Sequence, residues 1–122
     1  DATLVDTALR EADEELGLRG AEVLGFLPDI PSPVGYIITP VVGVVAASVA
    51  LYPSADEVAE TFVAPLRDLR AVHQAGAERE YHGHRYIMHE FPYQRWRIWG
   101  ATAAMIRELL VLLDAHEPGA SG

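Results

Sequence analysis

The chain contains neither lysine nor cysteine, and each absence removes whole classes of chemistry. Without lysine there is no phosphate-loop lysine, no Schiff-base lysine and no Ser–Lys catalytic pair. Without cysteine there are no disulfide bridges, thiolate metal sites or cysteine nucleophiles. The lack of cysteine is compatible with a reducing compartment, and we expect a cytoplasmic protein.

Positive charge is also scarce, because 9 basic side chains, all of them arginine, oppose 18 acidic ones, for a formal net charge of −9. Such a surface repels phosphates, so we expect neither a nucleic acid nor a membrane as partner. The excess of carboxylates favours a protein that concentrates cations. The most apolar stretch, 36–50, is broken by proline, glycine and polar residues and is shorter than the roughly 20 residues of a membrane helix.

The apolar pattern predicts a single domain over residues 1–117 and a disordered tail over 118–122. Helices are predicted over 3–17, 66–72 and 99–115. Strands are predicted over 21–27, over 35–50 with a bend or bulge around Pro40 and Gly43, and over 58–64. A hairpin of 79–81 and 85–91, a short strand at 95–98 and a loop at 74–77 are also predicted. This order of elements favours an α/β fold in which helices cover a mixed sheet.

The first predicted helix carries three glutamates, Glu11, Glu14 and Glu15, on one narrow arc. Like charges three or four residues apart oppose a helix by roughly 0.2–0.5 kcal/mol per pair. The last two also lie in the final turn, where the helix dipole already presents negative charge. A divalent cation would remove both penalties, and oxygen ligands favour Mg²⁺ or Mn²⁺ over zinc. The alternative interpretation is a solvated acidic face in which Arg10 bridges Asp6 and Glu14.

Residues 10–18 have the sequence Arg-Glu-Ala-Asp-Glu-Glu-Leu-Gly-Leu. This segment resembles the second half of the Nudix box, R-E-U-x-E-E-x-G-U with U apolar, at every fixed position. The resemblance to the Nudix hydrolases implies an α/β/α sandwich with a mixed sheet. It also implies that the chain begins inside the box and that N-terminal strands of the sheet lie outside it.

Four later segments resemble the coenzyme A pyrophosphatase branch of the same family. They are VLGFLP at 23–28, TPVVG at 39–43, DEV with FVAPL within 56–66, and WGATA at 99–103. The resemblance implies cleavage of coenzyme A or acyl-coenzyme A to 3′,5′-ADP and 4′-phosphopantetheine with Mg²⁺ or Mn²⁺. Alternatives are a Nudix hydrolase of ADP-ribose, a dinucleotide or a nucleoside triphosphate, and a non-catalytic Nudix-like binding fragment. A homodimer through the apolar face of the last helix is also left open.

The resemblance assigns roles to individual residues. Glu14 and Glu15 are the expected metal ligands, and Glu11 is a further ligand or the base that activates water. Arg10 is expected to hold Glu14 in position. Glu57 resembles the distal acid that many Nudix enzymes use as a ligand or base, although an ordinary surface acid explains it equally well. Glu60 is an alternative to Glu57 for the role of the distal acid.

Arginines alternate with aromatic residues in the second half of the chain. Arg79, Arg85 and Arg95 are candidates to bind the phosphates of coenzyme A. Alternation in a half-buried sheet produces the same pattern without any ligand. The histidines within 82–89 are expected to be exposed at a hairpin tip rather than to bind a transition metal.

Overall fold

The computed structural model describes residues 3–31, 35–56, 58, 60–81 and 83–116. The helices in these ranges are α1 (Leu4–Leu16), α2 (Leu66–Val72) and α3 (Gly100–His116). The strands are β1 (Glu22–Phe26), β2 (Ile30–Pro31), β3 (Ile37–Ile38), β4 (Val41–Val44), β5 (Gln74–Tyr81), β6 (His84–Tyr93) and β7 (Trp96–Ile98). The predicted α/β class is confirmed. The strand pairs seen in these ranges are all antiparallel, whereas a mixed sheet needs parallel pairs as well.

The chain divides into two compact units, one formed by 1–27 with 39–63 and the other by 28–38 with 64–122. None of the helices in the described part of the chain combines the length and apolar character needed to cross a bilayer.

In the first unit, α1 is capped at both ends. The side chain of Thr3 accepts a hydrogen bond from the backbone N–H of Asp6 at 3.0 Å, as an N-cap should. Gly17 ends the helix with φ of 64°, the left-handed conformation that favours glycine. The predicted helix over 3–17 is therefore confirmed.

The predicted strand over 35–50 is wrong in its extent and continuity, because only β3 and β4 are strands in this stretch, although the expected irregularity at Pro40 is where they separate. Proline 40 lies between them and has no N–H to donate to a ladder. Its carbonyl accepts from the N–H of Leu27 at 3.0 Å, and the two strands on either side pair differently. The strand β4 pairs with β1, and β3 pairs with β2.

The predicted strand over 58–64 is also wrong in the part that the structure describes. Residues 58 and 60–64 have no strand pairing. The N–H of Val58 donates to the carbonyl of Ser54 at 2.8 Å, which is a turn contact. That amide is therefore unavailable to a ladder, in spite of the β-branched residues that favoured a strand.

The second unit is built around the β5–β6 hairpin, with β7 as a third antiparallel strand. The predicted loop over 74–77 is wrong, because these residues extend β5. An irregularity in the pairing between Ala75 and Glu78 brings Gly76 against the backbone of Met88, where a Cβ would lie 3.0 Å from its carbonyl oxygen. The residues predicted as a loop thus belong to the strand and contain this irregularity.

The core of the second unit joins β6 to two helices. Phe91 of β6 is fully buried and packs with Leu69 of α2 and with Ala103 and Leu110 of α3. These four residues hold one end of the hairpin against the helices. Toward the other end of the hairpin, the described side chains of Arg79, Glu80 and Arg85 are exposed.

Candidate functional site

The acidic surface of α1 is formed by Glu11, Glu14 and Glu15, all of them exposed. Arg10 lies beside it, with Nε 3.8 Å from Oε1 of Glu14, and the two side chains are 50% and 63% exposed. At that exposure the pair is screened by water and contributes little to stability. Within the described part of the chain, no ion pair or side-chain hydrogen bond engages Glu11 or Glu15. Their carboxylates are accessible to a ligand.

The neighbouring acid, Asp13, is engaged by a partner that the sequence analysis missed. Nε of Arg19 donates to Oδ1 of Asp13 at 2.9 Å. This hydrogen bond, together with the negative charge of Asp13, raises the pKa of Arg19 above its usual value. Arg19 lies only three residues after the end of α1, and this closeness in sequence is the signal that could have indicated its contact with Asp13. The last turn itself contains no basic residue, so Glu14 has only the exposed Arg10 of the preceding turn as a counter-charge, and Glu15 has no ion pair among the described residues.

The end of α1 is fixed by backbone hydrogen bonds from a distant segment. The N–H of Tyr52 donates to the carbonyl of Leu16 at 2.7 Å, and the N–H of Ser54 donates to that of Glu15 at 2.8 Å. Gly17 permits this approach, because a Cβ on it would lie 2.8 Å from Cβ of Tyr52. The turn that carries Glu14 and Glu15 is thus held in place by residues 52–54.

The predicted distal acid, Glu57, lies outside the described residues. Its neighbours Asp56 and Val58 belong to the turn that follows Ser54, which is bonded to the end of α1. Glu60, the alternative acid, is exposed and engaged in an interaction of its own. The role expected for Glu57 stays a prediction.

The three glutamates of α1 share a surface without converging. Across the residues that the structure describes, no group of three or more His, Asp or Glu side chains is arranged to hold a metal. Exposed carboxylates repel one another and extend into water. Residues three and four apart on a helix have Cβ atoms about 5–6 Å apart, so rotation of side chains alone can bring them together. An oxygen-only donor set of this kind fits Mg²⁺ or Mn²⁺.

The candidate arginines are exposed, but the hairpin separates two of them. Arg79 pairs in register with Tyr86, and Arg85 pairs with Glu80. Because successive residues of a strand point to opposite faces, Arg79 and Arg85 project from opposite sides of the hairpin. They cannot grip the same phosphate from these positions.

Two of these arginines have contacts within the second unit. Nη1 of Arg85 lies 3.1 Å from Oε1 of Glu78. The guanidinium of Arg95 lies 4.2 Å from the centre of the Trp96 ring, a cation–π contact. Contacts of these arginines with neighbouring side chains therefore account for part of the alternation of arginine and aromatic residues, without a ligand.

A pair of histidines was not predicted. Nε2 of His73 and Nδ1 of His89 are 2.8 Å apart, and the ring of His73 stacks on Phe91 with centroids 4.8 Å apart. The expectation of exposed hairpin histidines is wrong for His89, which is half-buried; His82 lies outside the described residues. Burial, and then electrostatic interaction with His73 and Arg107, lower the pKa of His89, while the nearby Glu108 opposes them.

This lowered pKa predicts how stability depends on pH. The unfolded chain binds a proton on His89 with the usual pKa of 6.5, and the folded chain binds it only at lower pH. The free energy of unfolding should therefore be greatest above pH 6.5 and fall as the pH drops from there toward the folded-state pKa. Urea unfolding across this range checks the slope.

The His89→Gln variant should show a shallower dependence, and His116→Gln, at the exposed end of α3, should behave like the parent protein. An unchanged slope in His89→Gln would contradict the assignment to this residue.

Comparison with known proteins adds an independent observation. No protein-family model matches the chain. A protein named "Uncharacterized Nudix hydrolase NudL" from Pectobacterium atrosepticum is 40% identical over 119 residues, covering 93% of this chain and 61% of that protein. Proteins of the same name from Klebsiella pneumoniae and an Enterobacter species are 38% identical over 121 residues and 39% identical over 114 residues.

The Klebsiella match covers 95% of this chain and 62% of that protein, and the Enterobacter match covers 89% and 58%. The chain therefore spans about three-fifths of the length of the curated relatives it matches. Identity of 38–40% along most of the chain supports its place in the Nudix superfamily, as the motif in α1 predicted.

Proposed function

We propose that this chain supplies the metal-binding helix of an enzyme that hydrolyses a pyrophosphate bond with Mg²⁺ or Mn²⁺. The observation that carries the proposal is the motif Arg-Glu-x-x-Glu-Glu-x-Gly over 10–17, which forms a capped helix with its glutamates accessible. The resemblance of the chain to proteins named Nudix hydrolases supports the same chemistry.

Each functional residue of α1 has a role that follows from its position on the helix. When bound, the metal would lower the pKa of a water molecule and neutralise charge on the pyrophosphate oxygens. Glu14 and Glu15 bind it from the last turn, where their charges oppose the helix dipole and gain most from a cation. Glu11, one turn earlier, is a third ligand or the base that takes a proton from water. Arg10, 3.8 Å from Glu14, restrains that side chain when it is not ligating.

Residues 52–54 set the position of this turn. Their hydrogen bonds hold the carbonyls of Glu15 and Leu16, so the two ligands need not order the backbone when metal binds. Glu57, three residues farther along, is the proposed distal acid. This arrangement reduces the entropy that metal binding must overcome.

We further propose coenzyme A or acyl-coenzyme A as the substrate, on the four segments that resemble the coenzyme A pyrophosphatases. The intact protein with Mg²⁺ or Mn²⁺ should convert coenzyme A to 3′,5′-ADP and 4′-phosphopantetheine, and its kcat/KM should exceed that for ADP-ribose by roughly tenfold or more. Chromatography of the products checks this, because ADP-ribose cannot yield 3′,5′-ADP.

Other results would favour the alternatives. Cleavage of ADP-ribose, a dinucleotide or a nucleoside triphosphate, with coenzyme A left intact, would keep the chemistry and replace the substrate. No product from any of them, together with no saturable Mn²⁺ binding in calorimetry, would indicate a non-catalytic binding protein.

A further inference from the structure

Two imidazole rings meet where α2 passes into the hairpin. His73 is the C-cap of α2, and His89 is the register partner of Ala75 on β6. Nε2 of His73 lies 2.8 Å from Nδ1 of His89, a hydrogen-bond distance between two half-buried side chains. The ring of His73 also stacks on the fully buried Phe91. The pair therefore joins the end of α2 to the core of the second unit.

The number of protons on the two rings decides whether this contact can exist. A neutral imidazole has one N–H and one acceptor nitrogen, so one neutral ring can donate to the other. With one extra proton, the charged ring donates to the neutral one, and a charge-assisted hydrogen bond is stronger. With two extra protons, both facing nitrogens carry a hydrogen and neither can accept, while the like charges repel. The contact therefore tolerates the first proton and is broken by the second.

The charged groups around the pair do little to stabilise the doubly protonated state. Carboxylates of the elements packed against it are bonded to arginines: Asp68 to Arg67, Asp114 to Arg70, Glu78 to Arg85, Glu90 to Arg97 and Glu108 to Arg107. Burial, and then electrostatic interaction with His73 and Arg107, lower the pKa of His89, and Glu108 opposes them only in part. The second proton therefore binds at lower pH than it would on an ordinary histidine.

The helix α2 depends on this contact because it is short. It has seven residues, and its N-cap, Pro65, makes no side-chain capping hydrogen bond. Isolated helices of fewer than roughly 12–15 residues are marginal in water, so tertiary contacts must hold α2. Leu69 supplies one of them, against Phe91, and His73 supplies another at the C-terminal end.

We propose that the contact between His73 and His89 is a pH-sensitive switch, which holds the C-terminal end of α2 on β6 and releases it when both rings are protonated. The release is local: α2 opens while α3 keeps its place on the hairpin. It is thus distinct from the dependence of global stability on pH. It does not depend on the hydrolytic function, since no residue of α1 takes part.

The test is native-state hydrogen exchange of the intact protein, followed by NMR from about pH 8 down to about pH 5. Amide protection factors, which correct for the intrinsic pH dependence of exchange, should fall roughly five- to tenfold at residues 70–72 of α2. Those at residues 107–110 of α3 should not change. The nitrogen resonances of the two imidazole rings report their protonation in the same samples. The fall should follow the second ring titration; a fall with the first, or an equal fall in α3, would overturn the proposal.

His73→Gln separates this switch from general acid sensitivity. A side-chain amide has both a donor and an acceptor, so it can contact His89 whether or not that ring is protonated. Protection of α2 in this variant should change by less than roughly twofold over the same range. His116→Gln, at the exposed end of α3, should keep the full response of the parent protein. An undiminished response in His73→Gln, or its loss in His116→Gln, would also overturn the proposal. The measurements on the parent protein decide the matter even if His73→Gln fails to fold.

Discussion

Glu14→Gln and Glu15→Gln are each expected to abolish metal-dependent turnover of the intact protein while leaving its fold in place. Glutamine keeps the shape of the side chain but removes the charge that a hard cation requires. Metal stabilisation of the reacting phosphate is worth several kcal/mol, which corresponds to a loss in kcat of roughly 10²–10³-fold. Steady-state kinetics with saturating Mg²⁺, alongside circular dichroism, provides the measurement.

Without metal, the same substitutions should stabilise the folded protein although they abolish its turnover. Each glutamate in the last turn of α1 is opposed by the helix dipole, so its neutralisation should raise the free energy of unfolding by about 0.3–1 kcal/mol. Asp13→Asn is the matched control, because Asp13 is already paired with Arg19 at 2.9 Å. It should retain turnover and gain no stability. Normal Mg²⁺-dependent activity in the double variant Glu14→Gln, Glu15→Gln would rule out the metal-helix mechanism.

Gly17→Ala is expected to be the most destabilising single substitution in the first unit. A side chain there must adopt φ of 64° and place its Cβ 2.8 Å from Cβ of Tyr52, with the backbone oxygen of Tyr52 at 3.1 Å. The left-handed conformation and the steric overlap together should lower the free energy of unfolding by about 2–4 kcal/mol. Turnover should fall as well, because the overlap pushes residues 52–54 away from the metal-binding turn.

Gly20→Ala separates the two causes. Gly20 also has a positive φ, 74°, but no atom lies within 4 Å of the position of its Cβ. This variant should lose only the conformational part, about 1–2 kcal/mol, with turnover preserved. Equal losses of stability in the two variants, measured by urea unfolding, would show that contact with Tyr52 does not matter.

The sequence was sufficient where local signals agree. Thr3 and Gly17 are capping residues at the two ends of an apolar stripe, and α1 lies between them as predicted. Pro65 precedes α2, whose predicted bounds are those of the structure. In these elements the residue types at the ends are local signals: the hydroxyl of Thr3 caps α1, Gly17 takes the left-handed conformation that ends it, and Pro65 precedes the first turn of α2.

The sequence was insufficient where long-range pairing decides the structure. Residues 35–50 and 58–64 are rich in β-branched side chains, yet Pro40 and the turn bond from Val58 to Ser54 prevent continuous strands. The contact between His73 and His89 depends on the register of the hairpin, which side-chain patterns near either residue do not specify. The same distinction holds for the candidate metal site. The motif indicated its glutamates, but no local pattern indicated that residues 52–54 hold the end of their helix.

The attachment of residues 52–54 to the end of α1 relies on main-chain donors alone. Almost any residue at position 52 or 54 can supply the same amide, so replacement of the Tyr52 or Ser54 side chain need not loosen the contact. Proline is the exception, since it has no amide hydrogen. Pro53 occupies the intervening position, where its missing donor removes neither of these two bonds. We therefore expect homologues to vary in the side chains at positions 52 and 54 without displacement of the helix end that these residues support.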